Sequence, residues 1–98
     1  MESMKKLWSA FTDDMEQCLF TKYPKVERHH IFGGCNRKRS EKYGYVVPLR
    51  PDLHPNGVYA GKHAKEIDSY LKQMAQRDFE EKHGTRQDFI KEFGKSHL

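Results

Sequence analysis

Histidine side chains occupy the positions in this chain that are best suited to chemistry. His29 and His30 are adjacent, and His54 and His63 follow further along the chain. Near neutral pH an imidazole can either take a proton from water or bind a divalent ion. A single histidine is more often structural or solvated, but the adjacent pair followed by a third histidine predicts a site for base chemistry and metal binding.

Two short strands are predicted to hold these histidines. Side chains alternate in character over residues 25–32, which indicates a strand that ends at the two glycines 33–34. An extended apolar segment resumes at residues 45–49, where Pro48 predicts an edge strand or an early end. The polar and basic residues 33–44 between them are predicted to form a long loop.

Three helices are predicted to accompany the strands. Apolar residues spaced by three and four over residues 4–19 predict an amphipathic N-terminal helix. The strongest helical pattern covers residues 62–82, and Gly84 is expected to cap its end. Residues 85–88, Thr-Arg-Gln-Asp, resemble a capping signal and predict a short last helix.

This order of elements and histidines resembles the ββα-metal core of HNH endonucleases. The matching segments are His29-His30-Ile31, Val46-Val47-Pro48-Leu49, His54 and the helix that starts near His63. Over residues 18–98 the chain is also similar to small HNH-like proteins of phages and prophages. The implied fold is α+β and a single nuclease domain, residues 1–98, with an N-terminal helix (1–23), a ββα-metal core (25–83) and a C-terminal helix (85–98).

The resemblance also implies roles for the histidines. In the family the second residue of the pair is the base and the first helps to hold the metal, so His30 would activate water and His29 would be a ligand. Neighbouring side chains on a strand point to opposite sides, which suits two separate duties. His54 matches a metal-binding histidine of the family. His63 is a further ligand candidate or, equally, a member of the helix stripe.

Hydrolysis of a phosphodiester needs these two functions together. A base activates water, and a cation neutralises the charge that grows on the phosphate and on the leaving 3′-oxygen. Histidine ligands with an open water position accept zinc and other first-row divalent ions, and magnesium or manganese also serves such catalysis. The expected cofactor is therefore a divalent ion, namely zinc, magnesium or manganese.

Two features depart from the HNH pattern. The family's middle asparagine, which orients the base, would fall near Tyr45, so Asn36 or a backbone carbonyl is expected to take over that role. Many relatives carry two Cys-x-x-Cys pairs that bind a structural zinc, but this chain has Cys18-Leu19-Phe20-Thr21 and Arg50-Pro51-Asp52-Leu53 there. We expect no structural zinc, with the N-terminal helix supplying the missing stability.

Cationic side chains surround the predicted site. Those expected to contact phosphates are Arg28, Arg37, Lys38, Arg39, Lys62 and Lys65. Such contacts displace counterions and give affinity that does not depend on base sequence. Residues 37–39 alone could equally be a solvated charge run, but their place between the two strands favours binding. The predicted partner is DNA, cut with low sequence specificity.

Composition sets the remaining expectations. The net charge of +4 is only mildly basic, and the apolar share of 36% beside a charged share of 33% predicts a thin core that a metal or partner subunit would help. Two cysteines do not make a disulfide framework, so a reducing cytoplasm is expected, in a bacterial host by analogy with phage proteins. No segment is suited to a membrane. His83 and His97 are interpreted as surface residues.

Two functional hypotheses follow. The first is a metal-dependent endonuclease that nicks DNA, in which case cutting both strands needs a homodimer or two successive nicks. The second is a non-catalytic module that binds nucleic acid or protein and uses a histidine-bound ion to stabilise its fold. The missing asparagine favours the second hypothesis.

Overall fold

The computed structural model describes residues 7–55 and 57–98, which form an α+β fold with a two-stranded antiparallel hairpin followed by helices. The described elements are β1 (Glu27–His30), α1 (Arg37–Tyr43), β2 (Val46–Leu49), α2 (Ala64–Lys82) and α3 (Arg86–Phe93), with single 3₁₀ turns at Gly34–Asn36 and Pro51–Leu53. None of the helices in these ranges is long and apolar enough to cross a membrane.

Both predicted strands are confirmed, with tighter limits. His29 lies opposite Val47 and His30 opposite Val46, while Pro48 lies opposite Arg28. With two strands in the sheet each strand is an edge, so the missing N–H of Pro48 is tolerated as expected. All of β2 is buried, whereas burial along β1 alternates and turns His29 inward.

The prediction of a long loop between the strands was wrong, because most of this segment forms helix α1. Gly44 ends this helix with a φ of +77°, a conformation that glycine adopts without steric cost. The buried hydroxyl of Ser40 donates to the carbonyl of Phe32 and accepts that residue's N–H, which ties α1 to the end of β1. These tertiary contacts, together with good helix formers between the two glycine positions, explain the helix.

The prediction of an N-terminal helix was also wrong for the described part of this segment, since residues 7–26 contain neither helix nor strand. Residues 1–6 lie outside the described part. The side chains of Ser9, Thr12 and Asp14 each accept a backbone N–H two residues further on, which competes with helical hydrogen bonding. The apolar residues of this segment act instead as separate anchors.

Two anchors attach this segment to the strands. The ring of Phe11 stacks on that of Tyr45, with 5.9 Å between centroids, and the N–H of Leu19 donates to the carbonyl of Pro48. The ring of Trp8 covers Gly44 so closely that a β-carbon there would lie 2.6 Å from it. The segment therefore closes one side of the hairpin without forming a helix.

The last two helices follow their predicted patterns. Helix α2 ends at Lys82 with His83 as its cap residue, and the predicted cap Gly84 lies one residue beyond, with its N–H bonded to the carbonyl of Phe79. Thr85 and Asp88 form the predicted capping box at the start of α3. The core joins both helices to the hairpin through buried apolar side chains: Ile31, Phe32, Tyr45, Val47, Leu49, Leu71, Ala75, Phe79, Phe89 and Phe93.

Candidate functional site

His29 is a buried side chain whose ring nitrogen has no partner. Only 3% of the residue is exposed, and its Nε2 is the one buried side-chain polar atom without a hydrogen bond among the described residues. Burial lowers the pKa of His29 to about 4, and the neighbouring His54 and Lys72 act in the same direction. The ring is therefore neutral at physiological pH, and its 4.0 Å approach to Asp68 Oδ1 is not an ion pair.

His54 lies against His29 and is oriented by a carboxylate. The two rings meet edge to face with 5.0 Å between their centroids. His54 Nδ1 is 2.6 Å from Oε1 of Glu27, so with the proton on Nδ1 its Nε2 carries a lone pair. A carboxylate on one ring nitrogen commonly fixes the tautomer of a metal-binding histidine.

Gly57 makes room for this pair of side chains. A β-carbon at this position would lie 2.7 Å from Glu27 Oε1 and 3.0 Å from His54 Nδ1. A larger residue there would displace one of the two partners. The turn after His54 is thus shaped around the carboxylate–histidine contact.

His63 is not joined to this cluster. It precedes α2 at the surface, with 62% of its side chain exposed, and its Nδ1 is 3.3 Å from Oε1 of Glu66. Within the described ranges, no three histidine, cysteine or acidic side chains are arranged as a complete metal-binding group. The structure brings His29 and His54 together, and it places Asp68 rather than His63 beside them.

His30 faces a different partner from its neighbour. Its side chain is 7% exposed, and Nε2 lies 2.8 Å from Oε2 of Glu41 on α1. With the proton on Nε2, this contact orients the ring and leaves Nδ1 as the basic nitrogen. The pair resembles the carboxylate–histidine arrangement that holds catalytic bases in one tautomer.

His30 is bonded neither to Asn36, which was expected to orient it, nor to Tyr45, which stands near the position of the family's asparagine. The Asn36 amide donates to the carbonyl of Phe93 at 3.2 Å, and the Tyr45 hydroxyl donates to Asp78 Oδ2 at 2.9 Å. Burial, together with Asp78, raises the pKa of Tyr45, so its phenol stays protonated. Glu41 was missed because the segment that contains it was taken for a loop, and only helix α1 presents it to β1.

A cationic cleft lies beside the buried histidines. It has a volume of about 380 Å³, and the charged residues of its lining are Lys62, Lys65, Asp68 and Lys72. Asp68 joins the cleft to the histidine cluster, since Oδ2 pairs with Lys72 at 2.9 Å while Oδ1 faces His29. Two lysines predicted to contact phosphate therefore share a cleft with a carboxylate of the site.

The other predicted phosphate contacts lie elsewhere. Arg37 and Lys38 are exposed on the first turn of α1. Arg39 donates to the side chain of Asn36, and the exposed Arg28 pairs with Glu16 at 2.7 Å. Positive charge at the first turn of a helix opposes the helix dipole, so Arg37 and Lys38 do not stabilise α1.

Comparison with known proteins adds no identification: no protein-family model, curated protein or solved structure matches the chain significantly.

Proposed function

We propose that the protein is a metal-dependent endonuclease of the HNH type that nicks DNA with low sequence specificity. The observation that carries this proposal is the buried, neutral and unpartnered Nε2 of His29 beside His54 and Asp68. An unpaired buried nitrogen costs stability, and a site that retains one usually has a functional reason. A bound cation would supply the missing partner.

The residues present suit a divalent ion in their donor chemistry. His29 and His54 would provide nitrogens and Asp68 a carboxylate oxygen, a set that accepts zinc and other first-row ions. Asp68 takes the place that the sequence assigned to His63. When bound, the ion supplies positive charge that stabilises the phosphate of the substrate.

His30 is the proposed general base. With the proton on Nε2, that N–H donates to Glu41, so Nδ1 can take a proton from the attacking water. His29 and His30 are consecutive residues, with Cα atoms about 3.8 Å apart, so the proposed ion ligand and the base come from adjacent positions at the end of β1. Opposite faces of one strand thus supply the cation site and the base.

The cationic side chains would hold the DNA backbone. Lys62 and Lys65 line the cleft next to Asp68, while Arg37 and Lys38 offer charge on α1, the helix that carries Glu41. Contacts of this kind read the phosphates and not the bases, which accounts for the low specificity that we propose. Binding should therefore weaken steeply as salt is added.

The test is nicking of supercoiled plasmid in a series of divalent ions, with EDTA as the blank. We expect nicked product from wild type with at least one ion, and a rate lowered about 100-fold or more in His30→Ala, because general bases contribute on this scale. His83→Gln is the matched control, since His83 is an exposed histidine outside the site. Absence of nicking with every ion, or a His30→Ala rate equal to wild type, rejects the proposal.

The deep burial of the His29 side chain favours a second candidate function, a non-catalytic binding module. An ion held by a residue that is 3% exposed could serve the fold alone. In that case the ion would raise the melting temperature and DNA would bind, yet no nicked product would form. The same plasmid assay therefore separates the two candidates.

A further inference from the structure

The C-terminal segment, residues 94–98, is held against α2 by two glutamine side chains. Gln76 is fully buried, and its Oε1 accepts the N–H of His97 at 2.7 Å while its Nε2 donates to Ser96 Oγ at 3.0 Å. Gln73 donates to the carbonyl of His97 at 3.2 Å. A chain end that is neither helix nor strand is thereby fixed in one position.

This attachment places Lys95 and His97 beside Lys72. The three residues line a cleft of about 240 Å³, in which Asp68 is the one acidic residue of the described lining. They also line a second cleft of about 370 Å³ that has no acidic residue in its described lining. Burial lowers the pKa of His97, and the positive charges of Lys72 and Lys95 add to the effect.

These side chains continue the cleft already assigned to the nucleic acid. Lys72 and Asp68 line both the cleft of Lys62 and Lys65 and the smaller cleft of Lys95. Along α2, Lys65 and Lys72 are about two turns apart, roughly 10 Å at 1.5 Å per residue. Cationic side chains thus follow one side of α2 from its first turn to the C-terminal segment.

We propose that Lys72, Lys95 and His97 form a second phosphate site, which continues from the cleft beside Asp68 and binds a neighbouring phosphate of the DNA backbone. Lys95 has no ion-pair partner in the described ranges, so its charge is available to a ligand. Ser69 and Gln73 add polar groups to the lining. The site extends the proposed nuclease function and rests on it for the identity of the ligand.

The test measures binding of a labelled single-stranded oligonucleotide in EDTA over a range of salt concentrations. We expect Lys95→Gln to weaken binding about three- to tenfold at low salt and to reduce the slope of log affinity against log salt by about 0.7, the value of one lost phosphate contact. His97→Gln keeps the backbone bonds to the two glutamines, and it should weaken binding by a smaller factor than Lys95→Gln, because a neutral imidazole contributes a hydrogen bond and no charge. Lys91→Gln removes the same charge from the exposed face of α3, outside both clefts.

The outcomes separate this site from the proposed catalysis. Equal losses of affinity and slope in Lys95→Gln and Lys91→Gln overturn the second phosphate site, and plasmid nicking by wild type would still support the nuclease. A reduced slope in Lys95→Gln but not in Lys91→Gln supports the site even if wild type nicks no plasmid. If wild type fails to bind the oligonucleotide at low salt, the site is rejected.

Discussion

At the scale of single residues, the site depends on which nitrogen of each imidazole is left basic. Glu27 engages Nδ1 of His54 and Glu41 engages Nε2 of His30, so each carboxylate selects the opposite nitrogen for chemistry. Among the described residues His29 Nε2 has no such partner, and burial keeps the ring neutral. In the proposed mechanism, one dipeptide therefore supplies both the base, oriented by a carboxylate, and a nitrogen for the cation.

Glu41→Gln tests the role of Glu41 as a positioning residue. The amide can still accept the N–H of His30, but it no longer stabilises the protonated ring. We expect kcat for plasmid nicking to fall about 10- to 100-fold with little change in KM, as for other partners of functional histidines. The measurement is kcat and KM for plasmid nicking, recorded over a range of pH.

Glu92→Gln is the matched control for this variant. Glu92 accepts the Tyr43 hydroxyl at 3.2 Å and has no bond to His30. A Glu41→Gln profile that coincides with that of Glu92→Gln would show that Glu41 serves the fold and not the base. Equal melting temperatures of the two variants would ensure that the comparison concerns chemistry.

The sequence predicted the histidines of the site but not their acidic partners. His29, His30 and His54 stand out by type and spacing, and the structure joins His29 to His54. Glu27 lies 27 residues from the histidine that it orients, and Glu41 lies 11 residues from its own. Such contacts exist only once strand register and helix α1 are known, and neither carboxylate has a local signal.

At the scale of elements, local signals decided which helices were predicted. Helices α2 and α3 have apolar stripes, and α3 also has a capping box, so their patterns are readable without tertiary structure. Helix α1 is short and polar and depends on Ser40 and its bonds to Phe32. In the N-terminal segment the local pattern misled the prediction. Its apolar residues have helical spacing, but side-chain hydrogen bonds to the backbone favour turns instead.

Thr85→Ala tests the contribution of the capping box to stability. The Thr85 hydroxyl accepts the N–H of Asp88, whose carboxylate in return accepts the N–H of Thr85. Because α3 delivers Phe89 and Phe93 to the core, we expect a loss of about 1 kcal/mol in the free energy of unfolding in urea. Gln87→Ala, on the exposed face of the same helix, should change stability by less than about 0.5 kcal/mol. Equal values for the two variants would mean that α3 is held by packing alone.

At the scale of the whole molecule, the candidate metal site joins elements that are distant in the chain. His29 belongs to β1, His54 follows β2 by way of a 3₁₀ turn, and Asp68 lies in α2. The hairpin and α2 already share the aromatic core on one side of the sheet. An ion at the histidine cluster would link the same elements a second time, which suits a small domain with few apolar residues.

The ion should therefore stabilise the whole fold. At a free concentration 100 times its Kd, an ion that binds only the folded state adds about 2.7 kcal/mol. For a domain of this size we expect a rise of roughly 10–20 °C in melting temperature over the sample in EDTA. Zinc, manganese and magnesium are compared by differential scanning calorimetry at one concentration.

His29→Leu separates this stabilisation from the packing of the fold. Leucine has a similar volume and removes the buried nitrogen that lacks a partner, so the variant in EDTA should melt at the temperature of wild type or above it. The same variant should lose most of the rise in melting temperature with the ion, whereas His63→Ala should keep it, because His63 is exposed and outside the cluster.

A His29→Leu protein that melts well below wild type in EDTA would contradict this, since His29 would then contribute to the fold by itself. If the rise in melting temperature is instead lost in His63→Ala but kept in His29→Leu, then His63 and not His29 is the ligand of the ion. Higher stability without the ion, combined with loss of its effect, is what distinguishes a residue retained for function from one retained for the core.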